Sequence, residues 1–189
     1  MRQSWRATLI GLAGTLLLAV SAWLASPWGL GLAGRDNIMP VRIAHTVPAA
    51  AGIVLLFTGW LAARGSTVEQ LWRTFLIWCA PLLVCPPLLS KDAWAYLEQG
   101  WIVLQGFDPY QTGLGTIGGP FDDRVDSYWQ GTTTVYPPLA LLVQAGVVAL
   151  SGADPFWSLQ AMRLPGVLAV VLIGACLPRI ARATGQDPA

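Results

Sequence analysis

The sequence predicts an all-α polytopic membrane protein, a single membrane domain over residues 1–189 with about five transmembrane helices and a long extracytoplasmic loop carrying a short interfacial helix. Three observations predict it. Only 11% of the residues are charged and 54% are hydrophobic, where a soluble domain carries about 25% charged. The few charges leave uncharged runs of membrane-spanning length. Ten Trp suit the two faces of a bilayer, where an indole keeps its ring in apolar surroundings and its N–H near water. The formal net charge is +1, which leaves no basic surplus for a phosphate backbone and excludes nucleic acid as a partner.

Taken in order, residues 7–34, 43–63, 74–90, 127–153 and 164–178 contain no Asp, Glu, Lys or Arg. A helix of about 20 apolar residues crosses a bilayer, so spans are expected near 7–26, 43–62, 73–89, 137–152 and 163–180. The last two are short, and tilt, a locally thin bilayer or a re-entrant path would accommodate them. Arg2 and Arg6 before the first run resemble the start of a signal peptide, but the run is long and further spans follow, so an uncleaved anchor is expected. Cys79, Cys85 and Cys176 form neither a disulfide framework nor a zinc spacing. Basic residues fall almost evenly on the two sides, so charge does not orient the chain.

Residues 90–136 differ from the rest. They hold six of the ten acids, Asp92, Glu98, Asp108, Asp122, Asp123 and Asp126, against Lys91 and Arg124, and all four Tyr. A connection this long inside a compact protein is functional or disordered, and its aromatic content argues for order. Ser90 is placed to cap a helix in which Trp94, Leu97, Trp101 and Leu104 recur as an apolar stripe, while Asp92, Tyr96 and Gln99 line the other side at i, i+4 and i+7. Such a helix fits the membrane surface with its rings among the headgroups. Gly106 ends it, Asp108-Pro109 turns the chain, and the Gly- and Thr-rich stretch from Gln111 to Pro120 is expected to be a mobile loop. Pro137 and Pro138 sit where the next helix can begin.

Other motifs carry less. Gly29-x-Gly31-x-x-Gly34 and Gly113-x-Gly115-x-x-Gly118 match a dinucleotide fingerprint, but neither follows a strand. His45, the single histidine, sits at the start of a span as an interfacial side chain, which leaves no Ser-His-Asp arrangement elsewhere. Asp92, at a helix start beside an apolar stripe, is the best-placed general base. Its competing role is to help cap the helix. Asp108 reads first as a turn former, and Tyr96, Tyr110, Trp129 and Tyr136 as sugar-stacking groups or an aromatic belt. Lys91 and Arg124 are the local cations for a phosphate, and Asp122-Asp123 is a solvated pair or a divalent-ion site.

One further pattern runs through this segment: Ser90-Lys91-Asp92 with Tyr96 four residues on, Gly106-Phe107-Asp108-Pro109-Tyr110, then Trp129 and Tyr136-Pro137-Pro138-Leu139 entering a span. It resembles the polytopic GT-C glycosyltransferases that use polyprenyl-phosphate sugars, most closely the actinobacterial polyprenol-phosphomannose-dependent α-1,6-mannopyranosyltransferases. Their corresponding pattern is S-x-D with a following Tyr, G-x-D-P-Y and Y-x-P-L. The resemblance implies an inverting transfer of mannose from a polyprenyl-phosphate donor to a growing cell-envelope mannan or lipoglycan, a glycan or glycolipid acceptor, on the outer face of the cytoplasmic membrane. Asp92 would be catalytic, with Lys91, Tyr96, Asp108, Tyr110, Arg124, Trp129 and Tyr136 substrate-binding. No metal and no cofactor are implied. Family members look much longer, so the chain is expected to be an N-terminal portion. Pro137 stands where that family more often has Gly, and mannosyltransferases acting on phosphatidylinositol mannosides carry Y-P-P, which makes them an alternative. A non-catalytic membrane module, a transporter or scaffold fragment, is another, although these spans lack the intramembrane charges of a transport path.

Overall fold

The structure, a computed structural model, describes residues 2–28, 39–88 and 90–186, with side chains from Trp5 onward. The Gly29-x-Gly31-x-x-Gly34 run lies outside the described residues. Those described are helical with no strand: α1 (Arg2–Ala25), α2 (Met39–Ala62), α3 (Val68–Leu83), α4 (Asp92–Leu104), a 3₁₀ turn at Asp122–Arg124, α5 (Pro138–Leu150), α6 (Pro155–Ala161) and α7 (Arg163–Ala183). They form two compact units, Met1–Leu88 and Leu89–Pro188.

In the first unit α1 and α2 approach backbone to backbone. A Cβ on Gly14 would meet the Gly52 carbonyl oxygen at 2.8 Å, and one on Gly59 the Gly11 nitrogen at 2.9 Å. Small residues at such a seam are how helices associate where lipid is the competing neighbour. The Trp78 indole of α3 donates to the Thr8 carbonyl of α1 at 2.9 Å, and the Thr8 and Thr74 hydroxyls share a buried hydrogen bond of 2.7 Å. Ser21 donates to the His45 carbonyl at 2.7 Å, one residue beyond the carbonyl that Pro48 leaves without its ladder donor.

Helix α3 is displaced from the expected 73–89. Thr67 and Gln70 form a capping box, Gln70 N–H donating to Thr67 Oγ1 at 3.4 Å and Thr67 N–H to Gln70 Oε1 at 3.1 Å, so the helix starts before Arg73. It stops at Leu83, ahead of Pro86-Pro87, which cannot continue the ladder. Asp154 caps a further helix that the spacing missed, α6, by accepting from the Trp157 N–H at 2.9 Å. Among the described residues three stretches are long and apolar enough to cross a membrane: Trp5–Ala25, Met39–Ala62 and Pro155–Ala183. Helix α5 is apolar but only 13 residues long, about 20 Å at 1.5 Å per residue.

The second unit is built round α4, and here the expected surface-lying helix is corrected. Trp94 is 6% exposed, and Leu97, Glu98 and Ile102 are fully enclosed. A stripe at helical spacing says that a face is buried, not what buries it; here the protein does, so Trp94 is not among headgroups. One face of α4 lies on α5, where a Cβ on Gly100 would meet the Gln144 carbonyl oxygen at 2.6 Å. The other face is roofed by the long connection. Lys91 takes the N-cap position while Ser90 Oγ accepts from the Asp92 N–H at 3.0 Å. Gly106, at φ +79°, closes the C-terminus: its N–H donates to the Val103 carbonyl and that of Phe107 to Ile102, a Schellman motif.

Under the roof, the Glu98 carboxyl lies beside that of Asp122, two groups that both accept unless one keeps its proton. Burial, then the hydrogen bond and charge of Asp122, push Glu98 up to about 8 against an opposing pull from the Gly115 N–H. Glu98 is therefore the protonated member at neutral pH and donates to Asp122.

Two predictions follow from this packing. Gly100→Ala drives a methyl into the α5 backbone and should cost about 1–3 kcal/mol, whereas Gly146→Ala, with open space at its Cβ, should be neutral or gain up to about 1 kcal/mol of helix propensity; thermal unfolding in detergent distinguishes them. For Glu98 the folded carboxyl binds its proton more tightly than the unfolded one, so stability is highest at low pH. It falls as pH rises from the ordinary carboxyl value through about 8 and then levels off. Glu98→Gln should flatten that slope, and an unchanged slope in the variant would remove Glu98 as its source.

Candidate active site

A cavity of about 220 Å³ opens between the polar side of α4 and the end of the long connection. From α4 it takes Asp92, Tyr96 and Gln99, the set predicted at i, i+4 and i+7, and from the connection Trp129, Thr132, Thr133 and Tyr136, with Ala95, Leu114 and Val135 as its apolar wall.

The connection can face α4 because it is tied shut. The Leu114 N–H donates to the Thr132 carbonyl at 2.9 Å and the Gly131 N–H returns to Leu114 at 2.8 Å. Gly113 makes that approach possible, since a Cβ there would meet the Gly131 carbonyl oxygen at 2.6 Å. The Trp101 indole donates to the Gly118 carbonyl at 3.0 Å, and Phe121 and Val125 plug the interior. The mobile loop expected from Gln111 to Pro120 is thus held, because its glycines serve left-handed turns at Gly115 and Gly118 and one close approach at Gly113. A second tie closes the far end: the Tyr110 hydroxyl donates to the Tyr136 carbonyl at 2.8 Å and the Thr134 N–H to the Pro109 carbonyl at 3.0 Å.

Within the cavity the Trp129 indole N–H donates to Asp92 Oδ1 at 2.9 Å. This hydrogen bond fixes the carboxylate at the half-buried start of α4. Asp92 therefore does not cap its own helix, a task left to Ser90. Tyr136 packs edge-on against Tyr96, ring centroids 5.4 Å apart, and the two hydroxyls share a hydrogen bond of 3.4 Å. That hydrogen bond, burial, and the nearby Tyr136 and Asp92 oxygens push the Tyr96 phenol up to about 12, so it stays protonated as a neutral hydrogen-bonding group.

The structure brings together four of the sequence-predicted residues, Asp92, Tyr96, Trp129 and Tyr136. It places the other four elsewhere. Asp108 Oδ1 accepts from the Tyr110 N–H at 2.9 Å, a turn former as its Asp-Pro context suggested. Tyr110 serves the loop closure. Lys91 is exposed at the N-cap, and the Arg124 guanidinium packs over the Trp94 ring at 5.3 Å. Asp122 is turned to Glu98. None of the described residues lining the cavity is cationic. Thr132 and Thr133 carried no signal in the sequence, because only the turn at Gly131 brings them opposite α4. The arrangement offers a fixed carboxylate, aromatic faces and neutral polar groups, which suits an uncharged polyhydroxylated ligand and a proton acceptor for one of its hydroxyls.

The family model described as alpha-(1->6)-mannopyranosyltransferase, N-terminal domain, matches residues 8–189. A probable alpha-(1->6)-mannopyranosyltransferase of Mycolicibacterium smegmatis is 31% identical over 204 aligned positions, covering 95% of this chain and 35% of that protein. Alpha-(1->6)-mannopyranosyltransferase Rv1459c of Mycobacterium tuberculosis is 32% identical, covering 95% of this chain and 33% of its own length. Alpha-(1->6)-mannopyranosyltransferase A of Corynebacterium glutamicum is 32% identical over 62% of this chain and 24% of its own. The chain thus spans about a third of the length of the first two relatives. No solved structure matches it.

Proposed function

The chain belongs to the alpha-(1->6)-mannopyranosyltransferase family, and from that premise we propose that it carries the acceptor-activating site of an inverting mannosyltransferase that uses a polyprenyl-phosphate mannose donor. The observation that carries the reading is Asp92, half-buried in the wall of an aromatic-lined, cation-free cavity with Oδ1 held by the Trp129 indole. In the proposed step Asp92 takes the proton of the acceptor hydroxyl as its oxygen forms a bond to the anomeric carbon of mannose. The bond from that carbon to the phosphate oxygen breaks on the opposite side, and the polyprenyl phosphate leaves with the electron pair. Configuration at the anomeric carbon inverts. Phosphate is a good leaving group, so the step requires a base rather than a strong acid, and no metal or cofactor is needed for it.

The reading assigns membrane crossings to α1, α2, α3, α5 and the α6–α7 stretch, with the N-terminus cytoplasmic. Three crossings then deliver residues 90–136 to the extracytoplasmic face, where a growing cell-envelope mannan or lipoglycan would be the acceptor.

Two experiments test it. In the whole enzyme Asp92→Asn keeps size and an acceptor oxygen for Trp129, so expression and insertion should be normal, while mannose transfer should fall about 10²–10⁴-fold. Asp123→Asn, at an exposed position, should stay close to wild type. Radiolabelled mannose incorporation in membranes lacking the native enzyme measures both, and near-wild-type transfer by Asp92→Asn would sink the assignment. For topology, a single cysteine at exposed Gln130 should react with a membrane-impermeant thiol reagent on intact cells; labelling only after lysis would reverse the orientation.

A further inference from the structure

Gln99 is 4% exposed, yet it lines the cavity and its Oε1 has no hydrogen-bond partner. Most buried side-chain oxygens are paired; this one is closed to a water-sized group as it stands, and a turn of the amide that exchanges its oxygen and nitrogen is what brings it to a ligand in the cavity. Gln99 stands seven residues after Asp92, two helical turns or about 10 Å along the α4 axis, so the two side chains bracket the cavity from one helix face.

We propose that Gln99 is a binding residue for the terminal sugar of the acceptor, its buried amide gripping one ring hydroxyl of a neutral hexose whose attacking hydroxyl meets Asp92. This rests on the reading of Asp92 as the base. A hydroxyl both donates and accepts, so it satisfies either end of an amide, and a pyranose presents such groups on opposite edges of one ring. The rings of Trp129, Tyr96 and Tyr136 supply flat faces for the apolar side of the sugar. Charge selects the acceptor over the donor. The donor sugar arrives tied to an anionic phosphate, and among the described residues the cavity offers it one carboxylate and no cation. The acceptor terminus is neutral.

The test reads occupancy without catalysis. In the whole protein with its other cysteines replaced, Thr133→Cys puts a thiol at an exposed position of the cavity wall, and maleimide labelling is followed against α-1,6-mannobiose, with mannitol as control. Mannobiose should slow labelling and mannitol should not. Gln99→Leu should leave the sugar-free rate unchanged and raise the half-protecting mannobiose concentration about tenfold, the effect of losing one good hydrogen bond. Gln99→Met repeats the comparison if the Leu variant alters the sugar-free rate. Equal protection with and without the amide would overturn the role of Gln99. No protection at any concentration would mean that the cavity holds only water, and would overturn the sugar site. No donor is present, so the outcome is separable from that of Asp92→Asn: protection alongside an active Asp92 variant keeps the sugar site and removes the base.

Discussion

With no side chain at Gly100, the backbone of α4 lies directly against the Gln144 carbonyl of α5, and the rest of the second unit depends on that approach. A helix pressed so closely on one side has only the opposite side left for its long side chains. There the connection folds over Trp94 and Glu98, shutting them from water. The roof cannot be apolar throughout, because it must also satisfy its own backbone. The reciprocal hydrogen bonds between Leu114 and the Gly131–Thr132 turn answer that need and swing Trp129 over the start of α4. The Asp92–Trp129 hydrogen bond is thus a consequence of how the helix is clamped, about two turns from where the clamping occurs.

Two carboxyls on this helix meet opposite fates for the same reason. Glu98 points under the roof, where burial and Asp122 make the neutral form the stable one. Asp92 sits at the rim, where an indole N–H steadies it and the cavity gives it access. Of the described acids only Glu98 is fully buried, and it closes the roof while Asp92 stays accessible for chemistry, a division that rests on six residues of separation along a single helix.

Sequence periodicity located α4, its polar triad and its end at Gly106, because capping and i, i+4, i+7 spacing are local. The same periodicity misassigned what covers the apolar stripe: a membrane surface and a folded-back loop impose the same pattern on a helix. Composition misled between Gln111 and Pro120, where glycine signalled required backbone geometry and not mobility. Trp129 and Tyr136 were legible as aromatic candidates and as part of the family pattern, and Thr132 and Thr133 not at all, since the ties that place them join residues far apart in sequence. At α3 the Thr67–Gln70 capping box was local and readable, but the run of uncharged residues drew the expected span toward Pro86-Pro87.

The lack of a cation in the cavity has a chemical logic of its own. A guanidinium or ammonium beside Asp92 would stabilise its carboxylate and weaken it as a base, while any group meeting the departing phosphate must be positive or a strong donor. The two demands conflict at short range. Lys91 adjoins Asp92 in sequence but is exposed at the N-cap, and Arg124 lies over Trp94, so neither charge lines the cavity. With positive charge kept out of the described wall, the Asp92 carboxylate is left to the Trp129 indole and to whatever hydroxyl enters the cavity, and the space suits a neutral sugar.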